Sequence, residues 1–331
     1  MPEIKRAKIT AVGHFLPENR LSNSDLEKMV ETNDDWIRSR TGIRERRILK
    51  DDDKASAYMG MKAAQEALDQ RGLDPEEIDV IVVGTVTPDY LFPATACLIQ
   101  KSIGATNAYA FDLSAACSGF LYSLTTGASF IESGRAQKVL VIGSDKMSSI
   151  TDYSDRSTCI LFGDGAGAVV LEVSDDDTGI IDYSHHSEGD TEKLLYQPAG
   201  GSMNPATEET VQENQHFVHQ DGQPVFRKAI TNMTKVITEV LDNNDLDTDD
   251  IDWLAPHQAN KRIIDATSNC VGLDKSKVMI NIQDYGNTTS GTIPLCLYDW
   301  KDRLEFGDNL ILASFGGGLT WGAIYLKWGI K

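Results

Sequence analysis

This sequence has no apolar run long enough to cross a bilayer, and its opening stretch, MPEIKRAKITAVG, has no long apolar centre of the kind a secretory signal needs. The expected location is therefore the cytoplasm, with no membrane partner. Paired cysteines are missing too. Cys97, Cys117, Cys159, Cys270 and Cys296 lie far apart, with no metal spacing and no even-numbered disulfide framework. They read as reduced thiols of a cytosolic protein. Basic residues are few: 31 Lys and Arg stand against 50 Asp and Glu, a net charge of −19. That argues against nucleic acid as a partner, because affinity there comes from neutralising phosphates. The acidic runs SDDDTG and LDNNDLDTDDID fit either a solvated face that keeps the chain soluble or adaptation to a salty cytosol.

What is present is a core. The 331 residues are 41% hydrophobic, enough for one large or two medium domains. Apolar β-branched runs alternate with amphipathic stretches, the pattern of layered α/β architecture. IDVIVVGTV (78–86), AYAFDLS (108–114), KVLVIGSD (138–145) and GAVVLEV (167–173) read as buried strands. YMGMKAAQEALDQRG and SGFLYSLTTGASFIESG read as helices, each stopped by a glycine. Ser24 followed by Glu27 predicts a capping box for an early helix.

An internal repeat organises the whole. RGLDPEEIDVIVVG, from Arg71, recurs as NDLDTDDIDWLAPH, from Asn244, roughly half a chain later. Downstream, ACSGF (116–120) lies opposite TTSGT (288–292), and VLVIGSD opposite LILASFG (310–316). The chain therefore divides into an N-terminal half, 1–175, and a C-terminal half, 176–331, packed face to face.

Cys117 stands between a strand and a helix among Ala115, Ala116, Ser118 and Gly119. Small neighbours give a substrate room, the strand-to-helix turn lifts a nucleophile clear of the sheet, and the helix terminus should lower the thiol pKa. A buried structural cysteine is the competing reading. The matching half favours the nucleophile: WLAPHQAN places His257 just past a strand, and DYGNTTSG places Asn287 just before the counterpart of Cys117. A duplicated fold brings such loops into one cleft. The glycine clusters GDGAGAVV and GGGLTWGAIYL run into strand-like segments, not into helices, which argues against a dinucleotide loop. Glycine there lets backbone approach the cleft.

DDWIRSRTGIRERR, FDLSAACSGF, FGDGAGAVVLE, PHQANKRI, YGNTTSGTIP and FGGGLTWG together resemble the thiolase superfamily, and within it the β-ketoacyl-acyl-carrier-protein synthase III family. The resemblance runs nearly end to end. It implies a thiolase-like five-layered αβαβα fold, a homodimer, and a catalytic triad of Cys117, His257 and Asn287, with an oxyanion hole from the amides of Cys117 and Gly317. The implied substrates are an acyl-CoA and malonyl-acyl-carrier protein, with no metal and no other cofactor. Trp36 and Arg156 match a pair that sandwiches the adenine of coenzyme A, Arg40 a phosphate-side contact and Asn260 a pantetheine contact. Phe92 matches a residue that reaches from the partner subunit to close the acyl pocket. Carrier docking falls to Gln258, Lys261, Arg262, Arg227 and Lys228, although Asn269 and Cys270 stand where some relatives carry lysines.

Two other functions compete: a starter condensing enzyme of secondary metabolism, and a non-catalytic partner subunit, which usually lacks the cysteine. The irregular segment 185–224 reads as a surface excursion, with a lid as the alternative, and its histidines 185, 186, 216 and 219 as solvated.

Overall fold

The computed structural model describes residues 5–189 and 193–331; residues 1–4 and 190–192 of the irregular segment lie outside the described residues. Two sheets carry the chain. The first contains β1 (Ala7–Phe15), β2 (Val80–Gly84), β3 (Tyr109–Leu113), β4 (Lys138–Asp145) and β5 (Gly165–Val173), in the order β1-β5-β4-β2-β3. The second contains β6 (Gly179–Ser187), β7 (Trp253–Pro256), β8 (Asn309–Gly316) and β9 (Thr320–Lys327), in the order β7-β8-β9-β6. β2 is parallel to β3 and β4, and β5 antiparallel to β4 and β1. β7 is likewise parallel to β8, and β9 antiparallel to β8 and β6. Starting from β6, the second sheet repeats the first strand for strand and sense for sense, except at the edge. There the counterpart of β3 is reduced to one parallel bridge, Leu254 to Val278.

The main helices are α1 (Asp34–Thr41), α2 (Ser56–Arg71), α3 (Thr95–Ile103), α4 (Gly119–Glu132), α5 (Gly222–Asn243), α6 (Lys261–Val271) and α7 (Thr292–Trp300). Strand alternation sorts them into layers. Val80 and Val82 of β2 pack in the central cluster with Phe120 and Leu124 of α4 and Ile293 and Leu297 of α7. Ile81 and Val83 face the other way, onto Ala63 and Ala67 of α2 and Ile99 of α3. In the second sheet, Leu310 and Leu312 join the central cluster, while Ile311 and Ala313 meet Met233 and Val236 of α5 and Ile264 of α6. The result is αβαβα, in five layers. Both glycine clusters do run into strands, β5 and β9.

Two local expectations are corrected. The early helix is a single turn, Asn23–Leu26, capped by Ser22 with Asp25, because the Ser22 hydroxyl and the Asp25 carboxylate satisfy each other's backbone amides. In the 185–224 segment, His185 and His186 belong to β6. His185 is stacked on Tyr122 at 4.5 Å, and burial pushes its pKa down to about 4. His186 Nε2 meets Glu239 at 2.9 Å, so neither is a solvated loop histidine. The rest is partly ordered: Leu195–Tyr196 pairs with His219–Gln220, and Glu208–Gln212 is helical.

The two halves meet at a pair of matching turns. Ala116–Ser118 and Thr289–Gly291 are each one turn of 3-10 helix opening with a left-handed residue, Ala116 (φ 47°) and Thr289 (φ 54°). Each runs straight into a central helix. The backbone thus sets Cys117 opposite Ser290, one residue on from the sequence pairing. Contact between the halves is close: a Cβ on Gly143 of β4 would lie 2.3 Å from the Ser290 carbonyl oxygen. Gly143→Ala should lower the unfolding free energy by about 1–3 kcal/mol, while Gly189→Ala, whose Cβ would meet nothing within 4 Å, should leave it unchanged. Denaturant titration of both variants checks this; equal midpoints would show that β4 and the turn at Ser290 are not in close contact.

Candidate active site

β3 delivers the chain to Cys117, and the second half holds the turn. Thr320 Oγ1 donates to Ala115 O at 2.9 Å, Ser314 Oγ to Cys117 O at 2.7 Å, and Ser118 Oγ to Thr320 O at 3.1 Å. Gly316 closes on the turn so tightly that a Cβ there would lie 2.6 Å from the Cys117 nitrogen. These bonds offset a left-handed alanine, a conformation costing about 1–3 kcal/mol.

His257 follows β7, where its N–H donates to Ala313 O of β8 at 2.7 Å. The ring is 2% exposed. Nδ1 lies 2.6 Å from Thr292 Oγ1, and Nε2 is buried with no hydrogen-bond partner among the described residues. Asn287 is 6% exposed and bonded into a bridge with Phe162: its N–H donates to Leu161 O at 2.9 Å, and its carbonyl accepts from Gly163 N–H at 3.0 Å. Its side-chain oxygen accepts from Thr289 N–H at 2.9 Å. The Asn287 side chain also favours the Cys117 thiolate, against the effect of burial.

The electrostatics correct one expectation. Burial, reinforced by the nearby Asp145 carboxylate, pushes the Cys117 thiol up to about 12, against the Cys117 amide and Asn287. Burial outweighs the helix terminus, because Cys117 is 7% exposed and feels the charge of the buried Asp145. Cys117 rests as a thiol. Burial also pushes His257 down to about 3, so the imidazole is neutral.

Cys117 lies at the junction of two cavities. One, about 500 Å³, is lined by Trp36, Arg40, Arg227, His257, Asn260 and Asn287, with Arg262 at its side. The other, about 540 Å³, is largely apolar and includes Val86, Met147, Ile150, Phe162, Leu195 and Gly317. Arg156 and Arg40 stand over the Trp36 ring at 5.1 and 5.4 Å, and Arg262 over Phe226 at 5.2 Å. Asn260 caps α6, accepting from Arg262 N–H at 2.9 Å. Lys261 pairs with Asp265 and Lys228 with Glu188 on the surface. Phe92 is 85% exposed, beside Leu91 and Tyr90, and lines neither cavity. Gln258 is a correction. It is 1% exposed; its amide donates to Pro256 O and Met279 O, and its oxygen accepts from Asn281 and Ile282 N–H. It braces the loop and cannot dock a carrier.

Sequence reasoning missed four residues. Asp145 and Ser290 tie the loop after β2 to the turn before α7, Thr292 holds His257, and Arg46 is a fully buried guanidinium that donates to Ile160 O at 2.8 Å, beside the Phe162–Asn287 bridge. Among the described residues Arg46 finds only neutral oxygens, those of Leu21, Asn23 and Ile160, and burial brings it down to about 10. Its motif, TGIRERR, was a signal of family without a role attached.

A raised thiol pKa means that the reactive thiolate gains with every step of alkali. The rate of Cys117 alkylation by iodoacetamide, followed on its own peptide by mass spectrometry, should rise about tenfold per pH unit through pH 9. A plateau near pH 7 would show that the helix terminus prevails.

Residues 111–189 match the family described as 3-oxoacyl-[acyl-carrier-protein] synthase III, and residues 241–328 match its C-terminal part. The β-ketoacyl-[acyl-carrier-protein] synthase III of Chlorobium phaeobacteroides is 57% identical, over 98% of this chain and 99% of its own. That of Porphyromonas gingivalis is 50% identical, over 97% and 96%. The crystal structure of 3-oxoacyl-[acyl-carrier-protein] synthase III from Aquifex aeolicus superposes with a TM-score of 0.90 at 44% identity, covering 97% of this chain and all of that one. The chain belongs to the 3-oxoacyl-[acyl-carrier-protein] synthase III family of condensing acyltransferases.

Proposed function

We propose that this chain performs the initiating condensation of fatty-acid synthesis, joining an acyl-CoA to malonyl-acyl-carrier protein through an acyl-Cys117 intermediate. The observation that carries the reading is the position of Cys117 between two cavities, one bearing the arginines together with His257 and Asn287 and the other bearing none of them. The sulfur attacks the acyl-CoA thioester, the amides of Cys117 and Gly317 hold the oxyanion, and the thiol proton leaves on coenzyme A. The acyl chain then occupies the apolar cavity.

Malonyl-acyl-carrier protein enters by the same arginine-bearing side. His257 and Asn287 donate to its thioester carbonyl, so that loss of carbon dioxide leaves an enolate. The enolate carbon attacks the acyl-cysteine carbonyl, Cys117 departs as thiolate and takes a proton from water, and the β-ketoacyl-carrier is released. A neutral imidazole suits this donor role, since no proton need be expelled from a buried cation. No cofactor takes part.

The binding side follows the same reading. Trp36 and Arg156, already stacked on one another, part to admit the adenine, with Arg40 on the phosphates and Asn260 on the pantetheine. Arg262, Lys261, Arg227 and Lys228 form the basic face for the acidic carrier. Phe92, exposed on its own subunit, closes the acyl cavity of the partner in a homodimer. The halves 1–175 and 176–331 act as one cytoplasmic enzyme, the first giving the nucleophile and the second the decarboxylation donors.

The half-reactions separate these roles. Cys117→Ala should take up no acyl group by intact mass. His257→Ala and Asn287→Ala should still be acylated, while carbon dioxide release falls by about 10²–10³. Equal losses in both half-reactions would contradict the assignment.

A further inference from the structure

The duplication exposes one residue that the fold itself does not require. His257 follows β7 where Gly84 ends β2, and Thr292 opens α7 where Gly119 opens α4. In the first half the two glycines pack backbone on backbone; a Cβ on Gly84 would lie 2.7 Å from the Gly119 carbonyl carbon. In the second half the same contact is a side-chain hydrogen bond, Nδ1 of His257 to Oγ1 of Thr292, at 2.6 Å. A bare glycine pair suffices to join a strand end to a helix start. The histidine–threonine pair is an addition.

Its direction can be worked out. The Thr292 hydroxyl has one proton and two acceptors in reach, Nδ1 of His257 at 2.6 Å and the Thr289 carbonyl oxygen at 3.1 Å. The Thr289 carbonyl already accepts from the Thr292 backbone N–H, whereas Nδ1 has no other partner among the described residues. The proton goes to the shorter of the two bonds, the one to Nδ1, since the Thr289 carbonyl already has a donor. A neutral imidazole carries one ring proton, so when Nδ1 accepts, that proton is on Nε2. Nε2 is the ring atom left without a partner, on a residue that lines the cavity shared with Cys117 and Asn287.

We propose that Thr292 is a positioning residue, whose hydroxyl fixes His257 in the Nε2–H form and so makes it a hydrogen-bond donor to the substrate carbonyl. This rests on the decarboxylating role given to His257 above. The first half cannot do the same, because glycine occupies both places there. Burial, which pushes His257 down to about 3, keeps a second proton off the ring and leaves the tautomer to Thr292.

Nitrogen-15 spectra of histidine-labelled protein read the tautomer directly, with the His257 resonances assigned by their loss in His257→Asn. The wild type should show a protonated, pyrrole-type Nε2 and a hydrogen-bonded, unprotonated Nδ1. Thr292→Val should move Nδ1 toward the average of the two tautomers. It should lower carbon dioxide release from malonyl-acyl-carrier protein by about tenfold or more, with KM and acyl transfer from acetyl-CoA nearly unchanged. Thr292→Ser should restore both spectrum and rate. A pyrrole-type Nδ1 in the wild type overturns the proposal. So does a Thr292→Val protein with unaltered spectrum and unaltered carbon dioxide release, or one whose equal losses Thr292→Ser fails to repair. If Thr292→Val does not fold, the wild-type and Thr292→Ser spectra decide. The spectrum needs no turnover, so it stands or falls apart from the assigned reaction.

Discussion

A buried carboxylate joins the two halves, and the site depends on it. Asp145 ends β4. One of its oxygens accepts from Thr85 Oγ1 at 3.0 Å, Val86 N–H at 2.7 Å, and the amide and hydroxyl of Thr87 at 3.2 and 3.1 Å. The other accepts from the Ser290 amide at 3.0 Å and from the Ser290 hydroxyl, which also lies 2.7 Å from Gly84 O. These contacts fix the loop after β2 and the turn before α7 against each other. Asn287, Thr289 and Thr292 stand on that turn, and through Thr292 it reaches His257. A buried polar group so fully satisfied specifies one arrangement, since any shift leaves donors unpaired.

The same carboxylate has a chemical consequence. Its charge lies close enough to Cys117 to add to the effect of burial on the thiol. The nucleophile is therefore placed well and held protonated, the opposite of a cysteine poised as a free thiolate. Reactivity comes from positioning and from donors aimed at the developing oxyanions, which gain strength in a dry cleft. The neutral His257, uncharged for the same reason of burial, belongs to this scheme. Both groups wait in their neutral forms.

Much of this was legible in the sequence, because the signals that carried it are local. Buried parallel strands must be apolar on both faces, so VIVVG announced β2. The duplicated Leu-Asp frame located its counterpart, and the small residues around Cys117 marked the turn. Three things were not legible. The second half replaces a whole strand with the Leu254–Val278 bridge, and the repeat frame runs one residue off at the turns, pairing Cys117 with Thr289 in sequence and with Ser290 in space. The burial of Gln258 and His185 depends on long-range packing that residue type does not reveal. Thr292 and Asp145 look like a helix-start threonine and a strand-end carboxylate, ordinary residues at ordinary places. Only the fold, by bringing β4 against the turn before α7, turns them into parts of the site.

The central claim is that the catalytic groups are held by the bond between the halves, at Asp145 and Ser290. A double-mutant cycle with Asp145→Asn and Ser290→Ala, read by denaturant unfolding and by the rate of Cys117 acylation, tests it most directly. The account predicts a coupling of about 1.5–3 kcal/mol, the range for a hydrogen bond to a charged group, with the acylation rate falling in both single variants. Effects on stability that add to within about 0.5 kcal/mol, together with unchanged acylation, would show that the two halves position Cys117 by some other means.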